Sequence, residues 1–215
     1  ELIKGVSAVS FRIFVLVNRL SWGNAASPMT RLGQKLTTST STTLPNGLTL
    51  IIREDHSAPV VSAQAWCKAG SIDEGRWLGA GLSHCLEHML FKGTLTRPAS
   101  RIDQEVQDAG GYMNAYTGAR VAIDILCDIM QYATLPEEEL VKEMDVIRRE
   151  MDMNQDDPGQ RSARRLFETA YTRSPYRCTI IGYPDIFNEL KREDIFSYYR
   201  EKYARRGWTM FESID

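Results

Sequence analysis

The chain is short of histidine, with three in 215 residues, and its four cysteines, Cys67, Cys85, Cys127 and Cys178, form no CxxC pair. That excludes a cysteine-built zinc knuckle and a dense disulfide scaffold, and it predicts reduced, buried thiols. An excess of one charge is missing too, because Lys+Arg 26 stands against Asp+Glu 28 for a net charge of −2. With no basic field to hold a polyanion, nucleic acid is not expected as a partner. No apolar run reaches the length of a membrane span, so none is expected. No internal repeat or low-complexity tract is visible. What is present, 43% hydrophobic and 25% charged residues, is the mixture of a soluble globular domain with one sizeable core.

Residues 1–35 read as a leader or an upstream segment. Residues 6–17 are mostly apolar but interrupted by Arg12, and small polar residues follow to Pro28. This is the outline of an export or organellar leader with a thin charged start, and it names no compartment. From residue 36 to 204 the signals sharpen into one domain. Pro45-Asn46-Gly47 sits between strand-like runs and predicts a β-hairpin over 37–53. Residues 60–68 read as a second strand and 112–116 as a short one. Helical patterns cover 77–91, 100–109, 122–132, 137–152, 161–171 and 192–203, with Pro136 at the first turn of the fourth. Strands first and helices later predict an α+β fold, an antiparallel or mixed sheet with helices packed on one face. The tail at 205–215, RRGWTMFESID, lacks an alternating strand pattern and reads as atypical.

Chemistry concentrates in His84-Cys85-Leu86-Glu87-His88. Two histidines at i and i+4 on a helix lie about 40° apart round the axis, so both rings can meet one ion. Glu87 lies about 60° to the other side of His84, facing the same space without joining the ligands. Zinc hydrolysis needs that layout: neutral imidazoles hold the ion, and a nearby carboxylate takes a proton from the bound water. A catalytic zinc keeps three protein ligands and one open position, so a third ligand must come from elsewhere. Glu143 and Glu150 are the candidates, two turns apart on one face of the helix after Pro136. Cys85, inside the motif, reads as a buried inert thiol. Arg161, Arg164, Arg165, Arg173 and Arg177 read as a solvated face, and His56 as a surface residue.

The stretch from Gly81 through His84-Cys85-Leu86-Glu87-His88 to Phe91-Lys92-Gly93-Thr94 resembles the active-site helix of the M16 zinc metallopeptidases, which include insulysin, pitrilysin and the mitochondrial processing peptidase. Asn114-Ala115-Tyr116-Thr117, Val146-Ile147-Arg148-Arg149-Glu150, and Ser174-Pro175-Tyr176 with Ile181-Gly182 match further motifs in the same order. The resemblance spans roughly residues 38–200. It implies Zn²⁺ held by His84, His88 and Glu150, with Glu87 as general base. It further implies Glu143 as an outer carboxylate orienting a ligand histidine, and Asn114 and Ala115 as contacts for an extended peptide substrate. The implied activity is metalloendopeptidase cleavage through a zinc-bound water, with a second M16-like domain or subunit completing the chamber.

The chain departs from that family in spacing. Only the 61 residues 89–149 separate His88 from Glu150, shorter than the family pattern. This reads as an internal deletion of a sheet strand and its exit turn after Thr117, which predicts a sheet that closes up or exposes an edge. The same shortening supports an alternative reading, a catalytically inactive M16-like subunit that is structural or holds substrate.

Overall fold

The computed structural model describes residues 9–16, 39–54, 60–108, 119–203 and 208–214. Five strands, β1 (Val9–Leu16), β2 (Ser39–Thr43), β3 (Thr49–Glu54), β4 (Val60–Cys67) and β5 (Trp208–Ile214), form one sheet in the order β1-β4-β5-β3-β2. Only β3 and β5 run parallel; the other neighbours are antiparallel. The helices are α1 (Leu82–Leu90), α2 (Ala99–Asp108), α3 (Ala119–Tyr132), α4 (Glu137–Asp156), α5 (Pro158–Ala170), α6 (Pro184–Phe187) and α7 (Arg192–Lys202). This is the expected α+β arrangement with a mixed sheet. Among the described residues no helix is long and apolar enough to cross a membrane.

The expected hairpin forms, with Thr43 opposite Thr49. Its turn is wider than an Asn-Gly pair: Gly47 alone takes a positive φ, and the Leu44 N–H donates to Leu48 O across it. In β4, Ala65 and Cys67 are buried while Trp66 between them is partly exposed, the period-two signature of a strand with one covered face. Helix α3 packs against β1 and β4. It buries Ile125, Leu126, Ile129 and Met130, which join α1 and the tyrosines of α7 in one core. The Tyr199 hydroxyl donates to Ile129 O and accepts from the Ala133 N–H, pinning the end of α3 to α7.

Three expectations need correcting. The tail at 205–215, read as atypical for want of a strand pattern, holds a strand: residues 208–214 form β5, the central strand, paired to β4 and β3 at once. Its place is set by backbone ladder bonds to neighbours far along the chain, which the segment's own side-chain pattern does not report. Within 1–35, Val9–Leu16 is not merely upstream sequence but an edge strand along the whole of β4. A run of apolar and β-branched residues suits that place as well as it suits a leader. Both edges of β4 are thus paired, by β1 and β5, while the site of the expected strand loss after Thr117 lies outside the described residues. Finally, the helix expected over 77–91 starts only at Leu82, because Gly79 and Gly81 take left-handed φ angles of 88° and 73° that interrupt a helix. The strand expected at 112–116 lies outside the described residues.

The turn after α1 is fastened by a polar cluster. Arg97 pairs with Glu105 of α2 and with Asp124 and Asp128 of α3, and the Thr94 and Thr96 hydroxyls donate to Asp128. These bonds anchor the C-terminal end of α1 to both following helices.

Candidate metal centre

Helix α1 exists because Leu82, Cys85, Leu86, Met89 and Leu90 make one buried stripe at helical spacing. His84, Glu87 and His88 fall on its other side. The first turn has no ordinary cap, since the N-cap residue Gly81 carries no side chain. Glu74, 4% exposed, replaces it: its Oε1 accepts the Ser83 N–H at 2.8 Å. Burial raises the Glu74 pKa, and the backbone N–H groups at Ser83, Leu82 and Gly81 oppose the rise by stabilising the anion. The Tyr198 hydroxyl donates to Gly70 O at 3.0 Å, so the Ser83 hydroxyl, 3.0 Å away, donates to Tyr198 in turn. Glu74→Ala removes the acceptor from helix donors with no other cap, and is expected to lower stability by about 1–2 kcal/mol. Chemical denaturation of the two proteins checks this, and an unchanged midpoint would mean that Glu74 does not cap α1.

Helix α4 lies against α1 and buries Leu140, Met144, Ile147 and Met151. Val146 is 38% exposed, because it falls off that stripe. Glu143 and Glu150 flank the buried face, Glu143 nearly covered at 9% exposure and Glu150 partly open.

The Nε2 atoms of His84 and His88 lie 3.5 and 3.8 Å from Glu150 Oε2. One ligand atom from each of the three residues falls within 4.8 Å of the others. Ligands about 2.1 Å from a tetrahedral zinc stand roughly 3.4 Å apart, so the two nitrogen–oxygen edges match what the ion requires. The donor set also fits. Burial and the neighbouring His88 push the His84 pKa down to about 4, leaving a neutral imidazole at pH 7. The His88 Nδ1–H donates to Glu143 Oε2 at 2.9 Å, which fixes the tautomer and leaves the Nε2 lone pair free. His84 has no such anchor, and its Nδ1 is buried without a hydrogen-bond partner among the described residues.

Glu143 is held from a second direction by Lys92, whose Nζ lies 2.6 Å from Oε1. Burial works against its charge, but the Lys92 and His88 hydrogen bonds and the Lys92 cation outweigh that and keep its pKa below the usual carboxylate value. Glu87 has a solvent-open side. Surrounding protein still raises its pKa, Glu150 adds to the rise, and His88 opposes it. Its carboxyl therefore lies within the electrostatic field of this group. Cys85 is fully buried, and loss of solvent, then the Glu143 charge, push its thiol up to about 12, the inert state expected.

The structure thus brings together His84, His88 and Glu150, with Glu143 behind His88 and Glu87 beside it. Asn114, Ala115 and His56 lie outside the described residues. The five arginines are exposed, with Arg164 and Arg165 paired to Glu168. Sequence reasoning assigned nothing to Lys92 or Glu74. Lys92 stands one helical turn beyond His88, which was its only signal; Glu74 had none beyond a helix start without a capping side chain.

The model of the insulinase family, peptidase family M16, matches residues 49–120. This chain carries an M16 peptidase domain. It is 35% identical over 177 residues to a probable mitochondrial-processing peptidase subunit beta of Arabidopsis thaliana, covering 76% of this chain and 33% of that protein. It is 34% identical over 174 residues to an uncharacterized zinc protease of Rickettsia felis, covering 74% of this chain and 42% of that protein. Among solved structures, a protease from Helicobacter pylori superposes with a TM-score of 0.77 at 25% identity, over 84% of this chain and 47% of that one. The chain therefore spans about a third to just under half of the length of these relatives.

Proposed function

We propose that this M16 domain is the zinc-bearing part of a metalloendopeptidase of the HxxEH type. The observation that carries the reading is the convergence of His84 Nε2, His88 Nε2 and a Glu150 oxygen within 4.8 Å, across two helices and despite the short spacing between them. His84, His88 and Glu150 would hold the ion, and Glu143 would fix the ring of His88. Zinc in that position supplies a Lewis acid and lowers the pKa of a water molecule toward neutrality.

Glu87 then accepts a proton from the attacking water while its oxygen bonds to the peptide carbonyl carbon. The same carboxyl returns the proton to the amine as the carbon–nitrogen bond breaks. Burial raises its pKa above the usual carboxylate value, the direction that favours a group which must both take and give a proton. Substrate would be an extended peptide added beside Asn114 and Ala115 as a strand. A second M16-like domain or subunit would cover the open side of Glu87, exclude water and complete the chamber. The inactive-subunit reading drew on the short spacing, and the convergence at Glu150 speaks against it.

Metal content tests the site directly. Zinc-loaded protein is expected to hold about one ion per chain, and His88→Ala less than about a tenth of that. Elemental analysis showing no zinc above the His88→Ala control would refute the reading.

A further inference from the structure

Among the described residues, Lys92 is a cation placed against this group of carboxylates and imidazoles that the proposed chemistry leaves unassigned. It lies two residues past the end of α1, and its backbone N–H donates to Met89 O at 3.1 Å, which seats it against the helix end. Its Nζ takes one oxygen of Glu143 and the His88 Nδ1–H takes the other, at 2.6 and 2.9 Å. One donor sits on the last turn of α1 and the other just past its end, so the carboxylate is held at both oxygens. Glu150, on the same face of α4, instead places Oε2 3.5 and 3.8 Å from the Nε2 atoms of His84 and His88. The two glutamates have the same chemistry and nearly the same direction on the helix. What distinguishes them is Lys92.

We propose that Lys92 is the positioning residue that divides the work of the two α4 glutamates: it clamps Glu143 as the acceptor for His88 Nδ1–H and so leaves the metal position to Glu150. This rests on the metal-centre reading above. Without Lys92, one buried Glu143 oxygen would lose its donor, an expensive state that is relieved when the carboxylate turns. A turned carboxylate releases the His88 ring or competes with Glu150 for the ion. Partners one step outside the ligands act on metal affinity in this way. A partly exposed ion pair contributes little to overall stability, so an effect confined to the metal separates this role from a merely structural one.

The test compares Lys92→Met and Lys92→Arg in the full chain. Zinc affinity is measured by competition with a chromophoric chelator, and the His88 ring tautomer by nitrogen NMR of metal-free protein. Lys92→Met is expected to weaken zinc binding by about tenfold or more and to broaden or shift the Nδ1–H signature, with Lys92→Arg recovering most of the affinity. Lys92→Gln is measured in parallel, under the same limits, should methionine disturb folding. Affinity within about twofold of the parent, with an unchanged tautomer, would overturn the proposal. So would an arginine variant as weak as the methionine one. If the parent chain binds no more zinc than His88→Ala, the metal-centre reading fails, which is a different result from a parent that binds and a lysine variant that binds equally well.

Discussion

Glu87→Gln is expected to reduce peptide cleavage by about 10²–10⁴-fold while leaving zinc content unchanged. Glutamine keeps the size of the side chain and removes its ability to accept a proton. Glu87 is not among the three residues whose ligand atoms converge, so metal binding does not depend on it. The assay pairs the domain with the second M16-like half proposed above to cover the site. Cleavage within about tenfold of the parent would remove Glu87 from the reaction, whatever the zinc content. Loss of zinc along with activity would place the residue among the ligands instead.

Gly81→Ala is expected to be the most damaging single change to the fold. Gly81 has a φ of 73°, and a Cβ there would fall 2.1 Å from Ile181 O. The facing glycine is equally constrained, since a Cβ on Gly182 would fall 2.4 Å from Ala80 O. Backbone meets backbone at this crossing, so no side chain can move aside. The left-handed φ alone costs an alanine about 1–2 kcal/mol, and the clash adds to it. A total of about 3 kcal/mol or more corresponds to a fall of roughly 6–12 °C in Tm for a domain of this size. Gly47→Ala is the control, with a φ of 86° and nothing within 4 Å of its Cβ. The difference between the two melting temperatures reads the clash alone. Equal losses would show that the crossing of 80–81 with 181–182 has room for a methyl group.

The parts of this molecule that were legible in advance are those whose partners are close in sequence. His84 and His88 declare themselves because four residues make one helical turn, and the buried stripe of α1 confirms the helix from its own pattern. The hairpin of β2 and β3 is equally local. The approach of Glu150 to those histidines was named only through a family resemblance. From the residues alone Glu143 and Glu150 were equivalent, and what separates them, a lysine just past the end of α1, is a tertiary contact. Both missed strands, β1 and β5, owe their state to neighbours far along the chain. A strand takes its ladder bonds from elsewhere, so RRGWTMFESID carries no signal of the place waiting for it between β4 and β3.

That place has a consequence for how the molecule is made. Thr49 stands opposite Thr209 in the sheet, with every helix of the fold encoded between them. At ribosomal speeds the middle strand follows β3 by roughly ten to thirty seconds. Throughout that interval β3 and β4 each present an unsatisfied edge, the kind of surface that recruits chaperones or seeds aggregates. The helices α1 to α7 therefore emerge onto a sheet that is still split down its centre, and β5, encoded after them, is the strand that closes it.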